Sequence, residues 1–124
     1  MKQLIFVLML APLTPALNQS LAGMSKAISD GNAETLGQYF DESVEVSVLD
    51  KEEVYTKVNA IKVVKDFFAK YKPTGFSQVH QGNKSNAQYA IGNLTTDNGT
   101  FRVYLYLQTS GAEAKIQEIR FDKE

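Results

Sequence analysis

Residues Tyr89 to Leu107 read YAIGNLTTDNGTFRVYLYL. Two runs rich in β-branched and aromatic residues flank Asp97-Asn98-Gly99, a tight-turn signal typical of a β-hairpin. In the second run Phe101, Val103, Leu105 and Leu107 alternate with Arg102, Tyr104, Tyr106 and Gln108. Such a strand has one apolar face and one mixed face. The pattern extends both ways. Strands are predicted over about 76–82, 87–96, 100–109 and 114–122, linked by Asn83 to Asn86, the Asp97-Asn98-Gly99 turn and Ser110-Gly111. Links this short imply an antiparallel meander, because parallel neighbours need a crossover of a dozen or more residues.

Upstream the periodicity changes. Asn18 is placed to cap a helix carrying Leu21, Met24 and Ile28 at helical spacing, and Asp30-Gly31 ends it. Asn32 caps a short second helix with Leu36, Tyr39 and Phe40 on its buried side. Val44, Val46 and Val48 alternate with Glu45 and Ser47, a half-buried strand. Asp50 to Glu53 reads as a polar turn and Val54-Tyr55-Thr56 as the returning strand. Asn59 is the expected cap of a longer third helix. Its apolar face holds Ile61, Val64, Phe68 and Tyr71, with Phe67 beside them, and Pro73 and Gly75 end it.

A chain of 124 residues supports one domain. Residues 1–16 form a predicted signal peptide: Lys2, an apolar run from Leu4 to Leu13, then Thr14-Pro15-Ala16 with small residues at the cleavage positions. The run is too short to span a bilayer, which takes about 20 apolar residues. Residues 17–124 are then the mature domain, with an exported, periplasmic or extracellular address and no stable membrane insertion after cleavage. Losing Lys2 makes the mature chain one charge more negative than the formal −1 of the whole. The 13 basic and 14 acidic residues of the whole sequence are interspersed, which leaves no basic face for nucleic acid. There is no cysteine, so the fold rests on its core without disulfides.

The order helix, helix, strand hairpin, long helix and four-strand meander resembles the nuclear-transport-factor-2-like (cystatin-like) superfamily. Local wording resembles a branch of small exported bacterial proteins of unknown function. It is carried by Gly31-Asn32-Ala33 with Tyr39-Phe40, Asp50-Lys51-Glu52 with Val54-Tyr55, and Lys65-Asp66-Phe67-Phe68. His80-Gln81-Gly82, Tyr89-Ala90-Ile91-Gly92, Asn98-Gly99-Thr100 and Gln117-Glu118-Ile119-Arg120 continue it. The resemblance implies an α+β cone in which a curved antiparallel sheet wraps around the long helix. It also implies an outer sheet face that commonly serves a dimer. The residues that carry it bear on the fold and leave the activity open.

His80 is the only histidine and the weak catalytic candidate. With no bulge in its strand it shares a face with Phe76 and Gln78 and looks into the cone. Asp41 and Asp66 are partners only through tertiary proximity. Tyr89, Arg102, Tyr104, Tyr106 and Gln108 together offer flat apolar area with polar tips, suited to a ligand or a subunit interface, or simply to shielding a half-buried sheet. Glu118 and Arg120 alternate with Ile119 and Phe121, as a charge ladder with Arg102 or as a polar floor for a ligand. Asp50, Glu52 and Glu53 read as a solvated turn. No ligand spacing points to a metal, and no phosphate-cradling glycine loop or serine elbow is present, so no cofactor is expected.

These observations lead to an exported, non-catalytic binding or interaction module. Its expected partners are a second copy of the chain, a small apolar ligand or an envelope protein. The alternative is a small cone-pocket enzyme of the isomerase, dehydratase or cyclase kind. It would act on an apolar carbonyl compound with His80 as base and a tyrosine hydroxyl polarising the carbonyl, which requires both to point inward.

Overall fold

The computed structural model describes residues 16–84, 86–110 and 113–124, so the predicted leader lies outside it apart from Ala16. Helix α1 spans Ala16–Asp30, which places Asn18 inside the helix and not at its cap. Gly31, at φ +68°, closes α1: its N–H donates to Ile28 O and the Asn32 N–H to Ala27 O, 3.0 and 2.8 Å away. This paired arrangement satisfies carbonyls the helix end leaves free. Asn32 then caps α2 (Ala33–Gly37), its Oδ1 accepting from Thr35 N at 3.0 Å. Helix α2 stops at Gly37, and Phe40, expected on it, opens strand β1 (Phe40–Val48).

Strand β1 returns through a two-residue turn into β2 (Lys51–Thr56). Leu49 and Asp50 alone make that turn, at φ +50° and +73°. The polar run expected to be a turn is therefore strand from Lys51 onward. β2 leads into α3 (Lys57–Lys70) with no linker, so the cap is the last residue of the strand. Thr56 Oγ1 accepts from Asn59 N at 3.4 Å, which moves the cap from Asn59 to Thr56. The meander follows as β3 (Pro73–Lys84), β4 (Ala87–Thr96), β5 (Gly99–Ser110) and β6 (Glu113–Lys123). At the β4–β5 turn Gly99 takes φ +118°, and Asp97 also clamps the start of β3, accepting from Lys72 N while donating its own N–H to Lys72 O.

The six strands form one sheet in the order β2-β1-β6-β5-β4-β3. Four of the five pairings are antiparallel; β1 and β6 run parallel, with Glu45 beside Glu118 and Ser47 beside Arg120. The α+β cone is thus a hairpin and a meander joined through the first and last strands.

The helices cover one face. Val44 and Val46 of β1, Leu94 of β4, Phe101, Val103, Leu105 and Leu107 of β5, and Ile116, Ile119 and Phe121 of β6 are buried against Met24, Ile28, Leu36, Val64, Phe67 and Phe68. Phe67 sits at the centre. Its ring stacks on Phe121 at 4.2 Å, meets Phe101 edge-on at 5.1 Å, and contacts Tyr71 at 5.0 Å. Tyr39 and Phe76 pack at the margins. Packed aromatic rings therefore fill the inside of the cone. No helix among the described residues is long and apolar enough to cross a membrane.

Candidate functional site

The sheet face away from the helices carries most of the residues singled out above. Register decides this. Tyr89 of β4 lies across from Tyr106 of β5, Ile91 from Tyr104, and Asn93 from Arg102, while Tyr104 lies across from Arg120 of β6 and Tyr106 from Glu118. Their in-strand neighbours Ala90, Leu94, Phe101, Val103 and Leu105 are buried on the helix side. Tyr89, Arg102, Tyr104, Tyr106 and Gln108 thus share one open face, with Gln108 at its far end between Ala87 and Lys115.

His80 belongs to this face as well. Phe76 and Gln78 pair with Leu94 and Gly92, on the helix side, but the register slips by one residue before His80, which pairs with Ile91. A bulge of one residue reverses the side on which every later side chain emerges. His80 therefore turns outward, where it is exposed, and the Tyr89 hydroxyl lies 3.3 Å from its Nε2. The cone-pocket reaction scheme required His80 inside, and the bulge removes that base from the interior.

Tyr89 is held from three sides. It meets His80 through its hydroxyl and stacks near Tyr104 at a 6.3 Å centroid separation and 23° tilt. Its ring also covers Gly82, where an added Cβ would come within 2.6 Å of it. Beside this band, Ile91, Arg102, Tyr104, Glu118, Arg120 and Asp122 line a shallow depression of about 430 Å³. Arg102 donates to Asn93 Oδ1 at 3.1 Å and to Glu124 Oε2 at 2.7 Å, so among the described residues it is not part of a ladder with Glu118 and Arg120. Arg120 instead lies between Glu118, at 3.8 Å, and Asp122, at 3.6 Å. Burial holds the Tyr104 hydroxyl above its ordinary pKa, and the Glu118 carboxylate pushes it the same way. Asp41 is elsewhere: Gln117 donates to it at 3.1 Å and holds its carboxyl below the usual value. Asp66 lies on α3, at the rim of a groove of about 320 Å³ between that helix and the β1–β2 hairpin, floored by Val48, Val63, Phe67 and Tyr71.

One grouping escaped the sequence reading. Glu45 of β1, Glu52 of β2 and Glu118 of β6 bring three carboxylate oxygens within 4.8 Å of one another on the open face. They lie far apart in sequence, and only the parallel join of β1 to β6 unites them. The pairing of alternating Glu45 with alternating Glu118 was the one signal available, and it needed the strand order to be visible.

Comparisons with known proteins agree with this architecture. A crystal structure of a DUF4783 family protein from Bacteroides ovatus ATCC 8483 is 32% identical, covers 83% of this chain and 94% of its own, and superposes with a TM-score of 0.80. One from Bacteroides uniformis ATCC 8492 is 30% identical over 83% of this chain and 95% of its own, with a TM-score of 0.79. An NTF-2 like protein of unknown function from Burkholderia xenovorans LB400 is 11% identical, covers 88% of this chain and 84% of its own, and reaches a TM-score of 0.66, a likeness of fold alone. No curated protein matches the chain. Residues 21–122 match the family described as Domain of unknown function (DUF4783), and the chain, with its nuclear-transport-factor-2-like fold, belongs to that family.

Proposed function

We propose that this protein is a non-catalytic interaction module that acts after export and associates with a second copy of itself through the open sheet face. One observation carries the reading: the interior is filled by packed aromatic rings, while Tyr89, Tyr104, Tyr106 and Ile91 stand half-buried on a face that none of the described helices covers. Six strands about 4.8 Å apart and about ten residues long present a face of roughly 24 by 33 Å. That is about 800 Å², the area each partner contributes to a stable interface. The face also carries both signs of charge, Arg102 and Arg120 beside Glu118 and Asp122, as a two-fold, self-complementary contact requires. The leader pattern of residues 1–16 supports a periplasmic or extracellular address.

Native mass spectrometry and sedimentation of the purified protein test this together. The expected result is a dimer without a bound small molecule, and a rise in the monomer fraction when Tyr104 and Tyr106 are both changed to Ser. A wild type that stays monomeric, or a double variant with an unchanged sedimentation profile, would sink the dimer. A retained apolar molecule would move the site to the groove between α3 and the β1–β2 hairpin.

A further inference from the structure

The carboxylates of Glu45, Glu52 and Glu118 stand together where three strands meet. We propose that they form a calcium-binding site with the Ser47 hydroxyl, on the same open face that the dimer contact uses.

Distance supports it first. Three oxygens no more than 4.8 Å apart share a point about 2.8 Å or less from each, close to the ~2.3–2.6 Å at which calcium holds oxygen. Small side-chain adjustments close the difference, because Glu52 is exposed and Glu45 and Glu118 are half-buried. The donor set is all oxygen and mostly charged, the chemistry of a hard divalent cation.

Ser47 is the second, independent observation. It is 1% exposed, and its Oγ has no hydrogen-bond partner among the described residues. A buried hydroxyl left unmatched is costly, and native structures match nearly all of them. Ser47 follows Glu45 by two residues on β1, so both project from the same side of the strand. Its neighbour across β2 is Glu52, and its neighbour across β6 is Arg120. The register thus sets the hydroxyl beside Glu45 and Glu52, where a cation held by the carboxylates would supply the missing partner.

Charge points the same way. Among the described residues neither Glu45 nor Glu52 is in an ion pair, and Glu118 has only Arg120 at 3.8 Å. When Glu118 turns to the ion, Arg120 is free to close on Asp122, whose buried Oδ1 also lacks a partner.

Three carboxylates and a hydroxyl leave room for water, so the site belongs with the weak calcium sites of extracellular modules, of Kd about 10⁻⁴–10⁻³ M. The test uses the purified protein stripped of metal. Calcium at about ten times such a Kd should raise Tm by roughly 6–10 °C, and magnesium at the same concentration by far less. Terbium should show saturable luminescence sensitised by Tyr104 and Tyr106, and calcium should compete it away. The double variant E45Q/E118Q should be more stable than wild type without metal and lose the calcium response. S47A should weaken calcium several-fold, and E42Q, outside the cluster, should leave it unchanged. An equal response in E45Q/E118Q, an equal response to magnesium, or no saturable terbium signal would each overturn the site.

Discussion

Changing Phe67 to alanine tests whether the cone is a filled core or a vessel with a thin lining. The ring is 4% exposed and touches Phe68, Tyr71, Phe101 and Phe121 at centroid separations of 5.9, 5.0, 5.1 and 4.2 Å. Removing a buried phenylalanine costs about 3–5 kcal/mol where the surroundings cannot collapse into the space. The upper half of that range applies here, because neighbours on both the helix and the sheet lose contact at once. Domains of this size are stable by only about 5–15 kcal/mol in all. The loss therefore lowers Tm by on the order of 15–30 °C. F67L keeps most of the volume and should cost about 1–2 kcal/mol, chiefly the lost ring pairs. Urea unfolding followed by circular dichroism gives both values, with the slope against denaturant checked for constancy. A small apolar probe such as benzene should restore part of the F67A loss and do nothing for the wild type, since an apolar cavity stays dry and accepts such guests. An F67A cost below about 1.5 kcal/mol at unchanged slope would refute the reasoning, because a filled, rigid core does not yield so cheaply.

Two further predictions concern the turn and the tyrosine band. Leu49 and Asp50 both hold positive φ, a conformation that costs a side-chain-bearing residue about 1–2 kcal/mol and that Asn-Gly adopts readily. The double variant L49N/D50G should therefore stabilise the protein by about 1–2 kcal/mol in the same unfolding assay, and a loss of stability would show that Leu49 packs more usefully than it strains. Burial, and secondarily the Glu118 carboxylate, keep Tyr104 neutral above the ordinary tyrosine value of 10.0. A raised folded pKa means that this contribution is intact below pH 10 and is lost as pH rises through the higher folded value. Absorbance titration should show late-ionising tyrosine that diminishes in Y104F, with Tyr55, also raised by burial, remaining. A Y104F curve that instead loses its amplitude near the ordinary tyrosine value would place Tyr104 in solvent.

The elements written in local code were legible in the sequence. Asp97-Asn98-Gly99, the alternation from Phe101 to Gln108, and the Gly31-Asn32 stop and restart each carry their meaning within a few residues. What could not be read depended on partners distant in the chain. His80 changes sides because β3 slips by one residue against β4, and nothing between Phe76 and His80 announces the slip. Thr56 and Asn59 are both capable caps, and only the direct passage from β2 into α3 selects the first. Glu45, Glu52 and Glu118 look like ordinary polar positions on three separate strands until β1 is placed beside β6.

That placement also constrains how the chain is able to fold. β1 leaves the ribosome before the other five strands, yet its second neighbour, β6, is the last of the six. Until β6 arrives, the inner edge of β1 in the β1–β2 hairpin stays bare, and a lone hairpin is barely stable in water. Closing so long a loop is slow, because its entropy is spent before the contact rewards it. Folding of the whole sheet therefore waits on β6, and clipping that strand would leave two fragments of sheet with no strand between them, joined through the helices alone.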